Sequence, residues 1–222
     1  MELNNLIGNP TELAPIMQLF FLMTALMFIP TIIFMMTSFI RIIISFSFIK
    51  SALGVQQTIP NQVLIGLALC LTIFIMSPVT SEINDKALKP YFEKSITVEQ
   101  AMEEAGKPIR KFLLKQTRDE DIKLFLENSP VKETDKEVTK NEVPLHVLVP
   151  AFAISELKTA FSIGFLIYIP FIVIDLVVSS TLMSMGMFML PPAMISLPFK
   201  LLLFIMVDGW NLLIKSLIMS FS

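Results

Sequence analysis

The sequence predicts an all-α membrane protein in which two long helical hairpins flank a small, mostly helical polar domain. Hydrophobic residues make up 54% of the 222 residues and charged residues only 16%, against about 45–50% and about 25% in soluble proteins. The charges are also unevenly placed, since 12 of the 17 basic and 14 of the 19 acidic residues lie in 80–146. We therefore expect an N-terminal apolar hairpin at 1–79, a polar extramembrane domain at 80–146, and a C-terminal apolar hairpin with a methionine-rich hinge at 147–222.

The first hairpin is predicted from two apolar runs. The run Pro15–Ile49 provides a tilted span and an extension, since a bilayer core needs only about 20 helical residues, and Pro30 should kink it. Arg41 marks its polar exit, where the side chain either reaches the membrane interface or lines an inner surface. A turn-forming segment, Lys50–Gln62, leads to a second helix, Val63–Val79, which should end at its Ser-Pro pair.

The polar domain carries its own helix signals. Thr97 and Gln100 have the spacing of a capping box, in which each side chain accepts from a free backbone N–H group. Pro108, two residues after a glycine, should stop that helix. Apolar clusters at 112–114 and 122–126 predict two further helices that cover each other. Carboxylates and lysines are mixed throughout, which favours a solvated surface over an acid–base pair.

The third helix holds charges that need partners. Pro150 suits its first turn, and the helix should continue to about Leu182. Glu156 and Lys158 are two residues apart, or about 200° around a helix, so they cannot bind each other. Each needs a partner elsewhere, and Asp175 lies deeper in the same helix.

The fourth helix is predicted to start near Pro198 and to carry a polar stripe. At about 100° per residue, four polar side chains fall within about 80° of one another: Lys200, Asp208, Asn211 and Lys215. An ionisable group at mid-membrane costs about 2.5–3.5 kcal/mol, so such groups face a bundle interior, a partner subunit or water. Arg41, Asp175 and Asp208 are therefore predicted to be buried polar groups. The stripe is either a seam within the chain, a contact between subunits or a pore lining.

A methionine-rich hinge joins the third and fourth helices at 183–189. Gly186 and the pair Pro191-Pro192 should interrupt the helix there. Methionine side chains are flexible and polarizable, so they close around variable shapes and re-open. Such hinges from several subunits would form a deformable hydrophobic seal; ordinary packing is the alternative.

Enzymatic chemistry finds little support in the sequence. The chain has one histidine, His146, and one cysteine, and it contains neither a Walker-type glycine loop nor an HExxH motif. We expect no catalytic residue, no cofactor and no metal site. The net charge of −2 gives no indication of a nucleic-acid partner.

Two stretches resemble the FliP family of flagellar type III export-gate proteins. One begins at Met36 and reads MTSFIRIIISFSFIKSALGVQQTIPNQVLIGLAL. The other begins at Pro150, and its motifs ISELKTAF, MISLPFK and VDGW are specific in combination. The resemblance covers both predicted hairpins.

This resemblance implies a core subunit of the gate, in the inner membrane of a bacterium at the flagellar basal body. Copies of such a subunit assemble with two smaller membrane proteins into a channel through which unfolded flagellar proteins pass. The resemblance implies a gasket at the hinge and an ion pair between subunits that joins Glu156 and Lys200. The residues assigned to the gate are Met185, Met187, Phe188 and Met189. Phe188 departs from the methionine that the family commonly has there.

Two alternatives remain open. The related export-gate subunit of virulence injectisomes is one, although ELKTAF and LPP favour the flagellar branch. A solute transporter that binds a small molecule near Asp175 or Asp208 is the other.

The positive-inside rule places the loops at Lys50 and Lys200 toward the cytoplasm, and the polar domain and both termini outside.

Overall fold

The computed structural model of the chain describes residues 10–56, 58–129 and 143–221. All regular secondary structure in these ranges is helical, which confirms the predicted all-α class. Besides a π-helical segment, Asn84–Leu88, the described ranges contain the following α-helices: α1 (Pro10–Met35), α2 (Phe39–Leu53), α3 (Asn61–Ile83), α4 (Lys89–Phe92), α5 (Val98–Gln116), α6 (Asp119–Glu127), α7 (Leu145–Ser184), α8 (Pro192–Met206) and α9 (Gly209–Met219).

The first apolar run forms two helices. Helix α1 continues through Pro30 to Met35, and α2 begins after a turn at 36–38. At this turn the Thr37 hydroxyl donates to the carbonyl of Phe34 at 3.2 Å, and such local hydrogen bonds compete with the helix. The apolar stretch Met17–Met35 of α1 buries no residue within the chain, so its surface is left for lipid or another protein.

The packing of α2 against α7 forms the centre of the molecule. Small side chains are buried on both helices, which lets the two backbones approach closely: Ser45, Ala52, Ala151, Ser155, Ala160 and Gly164. A Cβ atom added to Gly164 would lie 3.0 Å from Phe48 Cβ and closer still to the ring. The Phe48 ring also packs edge-on against Phe161, with centroids 5.2 Å apart. The apolar core continues from this contact onto α3, α8 and α9.

Helix α3 is longer than predicted. It passes through Pro78 and continues through the π-helical segment into α4, so that Asn61–Phe92 is helical over 32 residues. The prediction that this helix ends at its Ser-Pro pair is therefore wrong. A proline removes one backbone hydrogen bond, and the packing of the extension on α5 offsets that loss.

The polar domain begins with the predicted capping box. The Gln100 N–H donates to Thr97 Oγ1 at 3.4 Å, and the Thr97 N–H donates to Gln100 Oε1 at 3.0 Å. Helix α5 does not stop at Pro108 but continues to Gln116. The predicted stop is wrong because Pro108 is buried, and tertiary packing outweighs its local preference.

The polar domain shares its core with α7. Residues of α5 and α6, such as Leu113 and Ile122, pack with Leu148 and Phe152 from the first turns of α7. Both predicted domain boundaries fall inside helices, because α3 crosses 79–80 and α7 crosses 146–147. The polar region is therefore anchored on the C-terminal hairpin.

The predicted fourth helix is two helices. Helix α8 begins six residues before Pro198, and α9 follows it at a bend of 62°. At the bend Asp208 adopts a left-handed backbone with φ of 50°, and a Cβ atom on Gly209 would lie 2.8 Å from Phe204 Cγ. The prediction of one continuous polar stripe is therefore wrong, because Lys200 precedes the bend and the other members follow it.

Three helical stretches in the described residues are long and apolar enough to cross a membrane. They are Met17–Met35, Asn61–Phe92 and Leu145–Ser184. The bent pair of α8 and α9 would add a fourth crossing as a broken span. Length and composition thus fit a protein that passes the membrane several times.

We predict that Gly164→Ala destabilises the protein by about 1–3 kcal/mol, because the new methyl group must push the Phe48 ring away. Thermal unfolding in detergent measures the effect. Gly66→Ala is the matched control, since Gly66 lies in an apolar helix with no atom within 4 Å of an added Cβ. Equal melting temperatures for the two variants would contradict the close approach of α2 and α7.

Candidate functional site

A buried ion pair joins α2 to α7. Arg41 is 2% exposed and Glu156 is 0% exposed. The Arg41 Nε–H donates to Glu156 Oε2 at 2.8 Å, and Nη2 donates to Oε1. This two-pronged arrangement matches the planar guanidinium to the planar carboxylate.

The remaining donors of Arg41 reach two other elements. Nη1 donates to the Ser220 carbonyl at 2.8 Å and to Ser220 Oγ at 2.9 Å. Nη2 also donates to Gln116 Oε1 at 3.1 Å, and the guanidinium carbon lies 3.8 Å from the centre of the Phe221 ring. All five N–H donors of the guanidinium therefore have acceptors available, and Arg41 connects α2, α5, α7 and the end of α9.

A second ion pair joins α7 to α8. Lys200 is 6% exposed, and its Nζ donates to Asp175 Oδ2 at 2.6 Å. The Ser196 hydroxyl donates to the other oxygen, Asp175 Oδ1, at 2.6 Å. Asp175 and Glu156 are 19 residues apart on α7, or about 28 Å at 1.5 Å per residue, so the two ion pairs lie at separate levels of the hairpin.

Glu156 and Lys200 do not meet within the chain. Each has a different partner, Arg41 for Glu156 and Asp175 for Lys200. The sequence-based prediction joined them between subunits, and one chain does not test such a contact, so it stays a prediction. Both charges are already neutralised within the chain. A contact between copies would therefore have to rearrange these two ion pairs.

A third charged contact holds the polar domain to α7. Lys158 donates to Asp121 Oδ1, and Ser155 donates to Asp121 Oδ2 at 2.7 Å. The Arg118 N–H donates in turn to Ser155 Oγ at 3.0 Å. Glu156 and Lys158 thus bind different partners, which confirms the prediction from their spacing. Burial raises the pKa of Asp121, but the hydrogen bonds from Lys158 and Ser155 and the charges of Lys158 and Arg118 outweigh it, so that the pKa lies below its usual value.

The methionine hinge lies between α7 and α8 and is largely uncovered. Helix α7 ends at Ser184, Gly186 has a positive φ of 74°, and α8 resumes at Pro192, which confirms the predicted break. The residues assigned to the gate are all exposed: Met185, Met187, Phe188 and Met189. Met189 is 98% exposed, so no described part of the chain covers its side chain.

Of the three residues predicted to be buried polar groups, Asp208 is the one that the single chain leaves exposed. It occupies the bend between α8 and α9. Asp175 is half-buried, and Arg41 is buried. His146 lies exposed in the first turn of α7. No group of three or more His, Cys, Asp or Glu side chains in the described ranges could hold a metal ion.

Sequence reasoning missed the residues that complete these contacts. Gln116, Ser220 and Phe221 lie 75 to 180 positions from Arg41 in sequence, and no local pattern links any of them to Arg41. Asp121 was one acidic residue among many in the polar domain. The only usable signal was the need of Lys158 for a partner.

The fold and these buried charges define a multi-pass helical membrane protein with a large uncovered apolar surface. A family model described as the FliP family matches residues 22–217. The chain is 52% identical over 214 residues, 96% of each chain, to the flagellar biosynthetic protein FliP of Bacillus subtilis. The chain therefore belongs to the FliP family.

Two further relatives carry the same name. The flagellar biosynthetic protein FliP of Pectobacterium carotovorum is 52% identical over 200 residues, which are 90% of this chain and 76% of that protein. The one from Buchnera aphidicola subsp. Baizongia pistaciae is 52% identical over 207 residues, 93% of this chain. The match spans only 56% of that Buchnera protein. The part that the relatives share with this chain includes both hairpins.

We predict that Asp121→Asn lowers the free energy of unfolding by about 1–3 kcal/mol at neutral pH, because it removes a charged hydrogen-bond acceptor from a buried site. The folded-state pKa of Asp121 lies below its unfolded value of about 3.9. The stabilisation is therefore present above that value and is lost as the pH falls through the folded pKa.

Denaturant unfolding at neutral pH and near pH 3 tests this. The difference between Asp121→Asn and the unmodified protein should shrink in acid. Glu120→Gln is a matched control, since Glu120 is an exposed neighbour on the same helix. An effect of Asp121→Asn that is the same at both pH values would show that the carboxylate charge is not what stabilises the contact.

Proposed function

We propose that this chain is a subunit of the flagellar type III protein export gate in the bacterial inner membrane. Copies of the chain, with two smaller membrane proteins, form the conduit through which unfolded flagellar proteins are secreted. Membership of the FliP family supports the flagellar role. The observation that carries the conduit is the methionine hinge, whose apolar side chains are exposed in the described chain.

The chemistry of the hinge suits a seal between copies. Exposed apolar side chains of this size usually mark a contact surface. Methionine is unbranched and adapts to irregular shapes, so hinges from several copies close on one another and part when a chain passes. Hydrophobic constrictions gate pores by excluding water. The Phe188 ring is stiffer than a methionine at the same position and fills a fixed part of the constriction.

The ion pairs support assembly in the same proposal. Glu156 and Lys200 join neighbouring copies, while Arg41 and Asp175 hold them in the single chain. Pairing Glu156 with Lys200 would release Arg41 and Asp175, so these two must also be matched across the same contact, because an uncompensated buried charge costs about 3–5 kcal/mol. A solute-binding role has less support, because Asp175 is already bound to Lys200 and Ser196.

We predict that Met187→Ala combined with Met189→Ala makes the assembled complex leak small solutes, because two bulky apolar groups per copy are lost from the constriction. Uptake of a small dye by cells that express the complex measures the leak, and native mass measurement shows whether the complex still assembles. Met102→Ala is the control, since Met102 is also exposed, to an extent between those of Met187 and Met189, but lies in the polar domain. An intact complex with unchanged dye uptake would rule out the seal.

We predict that Glu156→Lys or Lys200→Glu alone weakens assembly by about 3–5 kcal/mol and that the two together restore part of it. The comparison swap is Arg41→Glu with Glu156→Arg, which restores the pair seen within the chain but not a pair between copies. Assembly is measured from the mass of the purified complex. If only the comparison swap rescues, Glu156 acts within the chain and the contact between copies is absent.

A further inference from the structure

A cleft opens where the polar domain meets the first hairpin. It has a volume of about 490 Å³ and lies between α3, α5 and the end of α9. Its floor is apolar and includes Phe74, Ile75, Phe112 and Ile218. Its rim is charged and is formed by the side chains of Glu82, Lys111 and Lys115. The cleft is thus amphiphilic, because an apolar floor lies next to a rim that carries positive groups.

The rim carries a net positive charge, with two lysines against one glutamate. Lys111 and Lys115 are one turn apart on α5, so they lie on the same side of the helix. Lys111 forms no hydrogen bond or ion pair with any described residue, and the Lys115 Nζ reaches only the neutral carbonyl of Phe221 at 3.5 Å. Glu82 is bound to Lys86 at 2.6 Å and also lies within range of the Lys111 charge, so one carboxylate is shared among several lysines. An anionic group is what this rim lacks.

The length of α3 sets how far the cleft lies from the start of that helix. Glu82 is 21 residues beyond the first residue of α3, Asn61, or about 31 Å at 1.5 Å per residue. A bilayer core is about 30 Å thick. If α3 crosses the membrane from its first turn, the lysines lie at the level of the headgroups, and Phe74 and Ile75 lie within the hydrocarbon.

We propose that this cleft binds one anionic phospholipid. The phosphate lies between Lys111 and Lys115, and an acyl chain follows the apolar floor along α3 toward the bilayer centre. The apolar floor favours a lipid over a free phosphate ion, and the net positive charge of the rim favours an anionic over a zwitterionic headgroup. The bound lipid would join α3 to the polar domain. This site does not depend on the export role, so either proposal can fail without the other.

Native mass spectrometry of the full-length chain in detergent tests the site. The probes are phosphatidylglycerol, phosphatidylcholine with the same acyl chains, and inorganic phosphate. Lys111→Gln with Lys115→Gln removes the two rim charges. The control, Lys94→Gln with Lys123→Gln, removes two exposed lysines of the polar domain that do not line the cleft. Circular dichroism confirms that every variant is folded.

We expect one phosphatidylglycerol molecule to be retained in preference to phosphatidylcholine. Loss of each rim lysine should weaken its binding roughly fivefold, and the control pair should leave it unchanged. Equal retention of the two lipids, or equal loss in the rim and control variants, would overturn the proposal. Binding of inorganic phosphate as tightly as phosphatidylglycerol would do so as well, since the ligand would then be a soluble anion.

Discussion

The arrangement of this protein depends on one buried ion pair, Arg41 with Glu156. Removing two charges from water is costly, and the cost is recovered only when geometry is good and every remaining donor is bound. Arg41 meets that condition because it donates hydrogen bonds to Gln116 and to the backbone of Ser220 as well as to Glu156. Four elements that are distant in sequence are therefore fixed at one point. The ion pair stabilises a particular arrangement of helices rather than adding apolar burial to a generic bundle.

The same chain leaves much of its apolar surface uncovered. The described side chains of α1 between Met17 and Met35 are not buried in the chain, and the hinge between α7 and α8 is largely exposed. A soluble monomer would not tolerate this, whereas lipid and neighbouring subunits would cover it. The contrast is physical: the interior charges are satisfied within one chain, while the apolar surface needs something outside it. Single-chain stability and assembly thus rest on different interactions.

How far the sequence predicted the structure can be judged at particular residues. The capping box at Thr97, the break at Gly186 and the separate partners of Glu156 and Lys158 were predictable, because each follows from local geometry. Pro78 and Pro108 were predicted to end helices and do not. A proline costs one hydrogen bond and some strain, and packing that only the folded chain provides outweighs it. The Asp-Gly pair at the bend is a common turn signal, and Asp tolerates a left-handed backbone, but the apolar residues on both sides of the pair favoured one continuous helix.

The sequence by itself determined the helical class, the polar region between two apolar ones, the methionine hinge and the fact that charges in apolar segments need partners. These follow from composition and from periodicities of a few residues. The tertiary structure decided which partners those charges take: Arg41 for Glu156, Asp175 for Lys200 and Asp121 for Lys158. The reason is that any of several opposite charges satisfies a buried group equally well in principle. Only the packing of small residues between α2 and α7, and the bend after α8, sets which of them comes within reach.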